Sequence, residues 1–137
     1  MHNDPICKII NRLLAFFWCY QGMVPKLIWQ HPDELKIWQV LGVSEVWALR
    51  AVYASGVAEV IFGLLFLFYA SKILHYFNLL GLLFLLLLVM LLLPSTLVQA
   101  FNPVIMNLAM MGLSWVYVRY VASLSTRKSV NAVKKCL

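Results

Sequence analysis

Acidic residues are scarce in this sequence: its 137 residues include five Asp or Glu against eleven Lys or Arg, and charged residues of both signs make up 12%. Soluble domains carry roughly 25% charged residues and roughly 45–50% apolar ones. With 64% hydrophobic residues and a mean hydropathy of +0.87, the chain cannot bury its apolar surface within itself, so a bilayer is its expected solvent. Cysteine is also sparse. Cys7, Cys19 and Cys136 form no CxxC pair, and an odd number excludes a complete disulfide framework, so free thiols are expected. There is no glycine-rich phosphate loop, no nucleophile beside a base, and no metal-ligand spacing; His31, Asp33 and Glu34 read as a solvated loop. No metal is expected, no cofactor is evident from the residues alone, and the chain is not expected to be an enzyme on its own. A small-x-small cleavage site is missing after the first apolar run, so that run is kept as a membrane helix.

A pI near 9.4 could suggest nucleic acid, but the basic residues cap apolar segments instead of forming a soluble basic face. They read as topology signals and lipid contacts, and a nucleic-acid partner is not expected.

A membrane span needs about 20 mostly apolar residues. Four candidates fill nearly the whole chain, at residues 9–29, 46–70, 73–93 and 103–122, followed by a basic tail at 123–137. The expected fold is therefore all-α: a single-domain integral membrane four-helix bundle. Between the first two spans, Pro32 suits a first helical position, Asp33 and Glu34 suit a helix N-terminus, and Leu35, Trp38 and Leu41 recur at helical spacing before Gly42. This predicts a short amphipathic helix on the membrane surface. Asn102 and Pro103 predict the N-cap and first residue of the fourth span.

With the N-terminus inside, the inner ends carry Lys8, Arg12, Lys72, Arg119, Arg127, Lys128, Lys134 and Lys135, and the outer ends carry Lys26, Lys36 and Arg50. The positive-inside rule then predicts an N-in/C-in protein of the cell (inner) membrane, with the tail disordered or lying on anionic lipid.

A charge at the centre of a bilayer costs about 2.5–3.5 kcal/mol on insertion scales, so each intramembrane polar group needs a reason. Glu59 lies deep in the second span, on the stripe Ala48, Ala51, Ser55, Glu59, Gly63, whose small residues let helices approach closely. Arg12 lies fourteen residues inward of Lys26, as Glu59 lies fourteen inward of Glu45. Matching depth predicts a buried Arg12–Glu59 ion pair, with Arg119 as rival partner. Lys26 is expected to reach Asp33, Glu34, Glu45 or a lipid phosphate at the outer surface. Tyr20, Gln21 and Asn107 fall in the outer half, where they could hold a carbonyl or hydroxyl or bond one another. Ser44, Ser55 and Ser114 read as capping or packing residues.

The segments Tyr20-Gln21-Gly22-Met23-Val24-Pro25-Lys26, His31-Pro32-Asp33-Glu34-Leu35, Ala58-Glu59, Ala100-Phe101-Asn102-Pro103 and Asn107-Leu108 resemble the recurring segments of the DoxX-like family of small membrane proteins. The resemblance implies a four-helix bundle. Relatives are described as membrane subunits of thiosulfate:quinone oxidoreductase or as partners of redox enzymes, and a distant branch as a receptor-assembly chaperone. Some carry a fused NAD-dependent dehydrogenase-like domain. This chain shows no such domain, so catalysis would fall to another polypeptide. The resemblance implies an accessory or anchoring subunit of a membrane oxidoreductase, touching quinone through Tyr20, Gln21, Lys26 and Asn107. The alternative it leaves open is a non-enzymatic assembly factor or a binder of small lipophilic molecules. The lipid bilayer is the one partner expected on either reading, and the sequence does not set an oligomeric state.

Overall fold

The computed structural model describes residues 4–69, 71–98 and 103–136, and the side chains of all these except positions 96, 98, 103 and 128–136. The described residues are all-helical. Helix α1 spans Pro5–Gly22 and continues as a π-helical segment, Met23–Ile28; the short helix α2 follows at Pro32–Val40, then α3 at Glu45–Phe68, α4 at Lys72–Leu92, a 3-10 segment at Pro94–Val98, and α5 at Pro103–Cys136.

The ends of these helices follow from local chemistry. Asp4 starts α1 by accepting the Ile6 amide at 2.9 Å, with Pro5 in the first turn, where its missing N–H is no loss. Pro25 also lacks an N–H, and the chain widens there into π turns, with the Trp29 amide reaching Val24 O at 3.0 Å. The short helix predicted between the first two spans is present from Pro32. It ends in a Schellman turn: Gly42 adopts φ +75°, its amide bonds Gln39 O at 2.9 Å, and the Val43 amide bonds Trp38 O at 3.0 Å. Ser71 caps α4 by accepting the Leu74 amide at 3.2 Å. The proposed Asn102 cap lies outside the described residues.

Among the described residues, three helices are long and apolar enough to cross a membrane: α3, α4 and residues 104–127 of α5. Their buried share is small, and large apolar side chains such as Ile61, Phe68, Phe84, Leu91 and Ile105 stand exposed where lipid would cover them. Helix α1 interrupts its apolar run with Lys8, Asn11 and Arg12. Helix α5 does not stop at residue 122: its backbone stays helical to Cys136, so of the two expectations for the tail, disorder gives way to a continuation of the helix.

The closest packing joins α1 to α3. A Cβ placed on Gly22 would lie 2.5 Å from Gly56 O, and one placed on Gly63 would lie 2.9 Å from Cys19 Sγ. Such backbone approach needs glycine, and it sets the antiparallel register of the pair. Cys7, Ile10, Leu14, Ala15 and Trp18 from α1 join Phe66, Leu74, Leu82, Met110, Tyr117 and Val121 from α3, α4 and α5 in one core.

Candidate functional site

The α1–α3 register decides the fate of the buried carboxylate. Gly22 meets Gly56, Glu59 and Val60, so Glu59 stands one turn from the π segment, while Arg12 lies ten residues away along α1, about 15 Å at about 1.5 Å per residue. The expected Arg12–Glu59 pair therefore does not form. Its premise, that Lys26 and Glu45 mark the same depth, fails because Lys26 continues the helical column and its Cβ approaches Gly56. Arg12, Phe16 and Met23 are exposed, and α1 packs through Asn11, Ala15, Trp18 and Gly22. Glu59 is paired instead with Lys26, whose ammonium reaches inward to Glu59 Oε1 and stands 3.5 Å from Glu34 Oε2. Both side chains of the Lys26–Glu59 pair are nearly buried, at 12% and 13% exposure.

This pair lines a cleft of about 220 Å³ together with Gln21, Pro25, Glu34, Ile37, Leu85, Leu88, Val89 and Asn107. Gln21, Lys26 and Asn107 thus meet at one place, drawn from α1, its π extension and α5. Tyr20 is not among them. It is half-exposed on the outer side of α1, its ring 6.2 Å from that of Phe16. Two polar groups in the cleft lack protein partners among the described residues. Glu59 Oε2 is buried without a hydrogen bond, and Asn107, 5% exposed, lines the cleft without one. An orphaned carboxylate oxygen is costly, since a buried polar group left unpaired forfeits about 1–3 kcal/mol. An occupant offering a hydroxyl to Glu59 and a carbonyl to the Asn107 amide would satisfy both. The apolar wall of Leu85, Leu88 and Val89 suits a lipophilic body.

A second polar centre, unforeseen in the sequence, lies toward the other end of the bundle. Trp18 Nε1 donates to Asn78 Oδ1 at 2.7 Å, Asn78 Nδ2 donates to Ser114 Oγ at 2.8 Å, Ser114 stands 3.1 Å from His75 Nδ1, and His75 Nε2 stands 3.1 Å from Asn11 Oδ1. Asn11 Oδ1 can only accept, so His75 Nε2 carries a proton, and Ser114 Oγ accepts from Asn78 Nδ2. The His75 ring stacks on Tyr117 at 3.7 Å, with the edge of Phe66 at 5.2 Å. Ser114, read from the sequence as a packing residue, is the node joining α4 to α5. A hydrogen-bonded chain of this kind rigidifies a bundle, and its Ser114–His75 contact is fully buried.

Of the described cysteine side chains, Cys7 is buried in the core, and Cys19 points its Sγ at Val60 O, 3.8 Å away. Among the described residues no group of three metal-ligating side chains converges. Outside the bundle, on α2, the Lys36 ammonium bonds Asp33 and holds its carboxyl below the usual carboxylate range.

No curated protein and no solved structure matches the chain. The model of the DoxX-like family matches residues 15–115, nearly three quarters of the sequence, and that stretch contains Gln21, Lys26, Glu59 and Asn107. With three helices able to cross a bilayer and an apolar exterior, this chain is a small membrane protein that belongs to the DoxX-like family.

Proposed function

We propose that the chain is a four-span accessory or anchoring subunit of a membrane redox system, N-in and C-in, and that the Lys26–Glu59 cleft holds the polar head of a quinone. The observation carrying this reading is the pair of unpartnered groups, Glu59 Oε2 and Asn107, in a cleft walled by Leu85, Leu88 and Val89. A quinone ring carries oxygens on opposite edges and an apolar tail, which matches that distribution. When bound, it would supply electron transfer between a partner oxidoreductase and the membrane. The chain's own residues bind and orient its reduced, quinol form: Asn107 and Gln21 offer amide donors to one ring oxygen, Lys26 holds the carboxylate of Glu59 in place, and Glu59 Oε2 accepts from the hydroxyl on the opposite edge.

The Asp4–Tyr120 hydrogen bond, 3.0 Å long, supports an even number of crossings, because it brings the start of α1 level with α5 near the end of its apolar part. The same cleft would also serve a carrier of another small lipophile, and identification of the bound molecule separates the two. Gentle extraction followed by lipid analysis is the test. Quinone is expected to copurify near one per chain with the native protein and to fall away in Glu59→Gln/Asn107→Leu; absence of both quinone and any redox partner from the native preparation would overturn the reading.

A further inference from the structure

A larger cleft, about 460 Å³, opens at the opposite end of the bundle, where the C-terminus of α3 turns into α4 beside the first turns of α1. Its lining is Lys8, Asn11 and Arg12 from one face of α1, Phe66 to Tyr69 from the end of α3, and Ser71, the N-cap of α4. Among the described residues no acidic side chain lines it. Asp4, the acid nearest in sequence, accepts from the Ile6 amide at Oδ1 and from the Tyr120 hydroxyl at Oδ2. Among the described residues neither Lys8 nor Arg12 forms an ion pair with a carboxylate.

Two further donors line the same space. Asn11 is 6% exposed, and its Oδ1 is taken by His75, which leaves its amide Nδ2 without a partner among the described residues. Ser71 Oγ accepts from the Leu74 amide, so its hydroxyl proton remains available. Helix α4 begins here, and its first two amides, Lys72 and Ile73, have no intrahelical acceptor. The terminal carbonyls of α3 share the corner and can take some of these donors, but they do not neutralise two cations. The geometry points to a binding site for a phosphate-bearing anion, held by Lys8 and Arg12 as charges and by Asn11 and Ser71 as oriented donors. Leu67 and Phe68, half to three-quarters exposed beside it, supply an apolar flank along which the acyl chain of an anionic phospholipid would run. This site is independent of the Lys26–Glu59 cleft.

Lys8 and Arg12 are exposed, so replacing them leaves the core intact. The experiment uses the full chain in nanodiscs and in detergent. Phosphatidylglycerol, phosphatidylcholine and inorganic phosphate are titrated separately, and bound ligand is counted by native mass spectrometry. One phosphatidylglycerol per chain is expected to bind saturably and in preference to phosphatidylcholine, and Lys8→Gln/Arg12→Gln is expected to weaken it about thirtyfold. Lys72→Gln, at the same end but outside the cleft, is expected to leave that affinity within about twofold. Tight binding of inorganic phosphate, lost in the same double variant, would support the anion site with a soluble source in place of a lipid. Unchanged binding in the double variant, no preference over phosphatidylcholine with no phosphate binding, or an equal loss in Lys72→Gln would overturn the proposal.

Discussion

At the scale of single residues, the most informative group is Lys26. Sequence reasoning sends its long side chain outward to the membrane surface; the structure turns it inward to Glu59, keeping only a 3.5 Å contact with Glu34. The reason is electrostatic. A carboxylate one turn below the interface, excluded from water, attracts the nearest flexible cation more strongly than the interface does, and a lysine stem can span that turn. Truncating one partner strands the other. Lys26→Met or Glu59→Leu alone should destabilise the protein by about 3–5 kcal/mol. The double variant should cost clearly less than the sum of the two, with a coupling of about 1–3 kcal/mol. Denaturant titration in a fixed detergent checks it; additive losses would show that the two charges do not depend on each other. The buried chain from Trp18 to Asn11 was not legible in the sequence. Asn11, His75, Asn78 and Ser114 are spread over three helices with no motif linking them, and only the packing reveals that they converge. One signal was available in retrospect: His75 and Asn78 stand one turn apart on one face of a largely apolar helix, a spacing that needs partners in hydrocarbon.

At the scale of elements, glycines sort into two kinds that the sequence does not distinguish. Gly22, Gly56 and Gly63 sit where α1 and α3 touch backbone to backbone, whereas a Cβ on Gly81 or Gly112 would meet nothing within 4 Å. Gly22→Ala must push against Gly56 O, a backbone atom that cannot step aside, and overpacking of this kind costs about 1–3 kcal/mol. Gly81→Ala should be neutral or stabilising by up to about 1 kcal/mol, since alanine is the better helix former. Thermal unfolding of the two variants side by side gives the comparison; equal effects would contradict the close α1–α3 approach. Element positions were largely readable from hydropathy and caps: the surface helix begins at Pro32 as expected, and α3 and α4 fall within two residues of the expected second and third spans. Register was not readable. It depends on which glycine meets which, and the depth count from Lys26 and Glu45 assumed interface positions that the π segment at Pro25 displaces.

At the scale of the whole molecule, charge asymmetry and the fold bear together on orientation. The end of the bundle formed by the start of α1, the α3–α4 turn and the later part of α5 carries Lys8, Arg12, Lys72, Arg119 and Arg127; the other end carries Lys26, Lys36 and Arg50 along with Asp33, Glu34 and Glu45. Excess Lys and Arg mark the cytoplasmic side. The 34 residues of α5 would extend about 51 Å at about 1.5 Å per residue, beyond a hydrocarbon core of about 30 Å, so in the proposed orientation its last turns would leave the core on that basic side. Helix α2, with Lys36 exposed on it, would then lie on the opposite surface. The expectation can be read with single cysteines introduced at exposed positions, Lys36→Cys on α2 and Ser125→Cys on α5, each in a Cys136→Ser background; Cys7 is buried and the half-buried Cys19 serves as the parent control. An impermeant maleimide added to intact cells should label the first variant and spare the second, and permeabilisation should expose both. Labelling of Ser125→Cys alone would reverse the orientation. Labelling of both in intact cells would place α2 and the end of α5 on one face, which four crossings with both termini together do not allow.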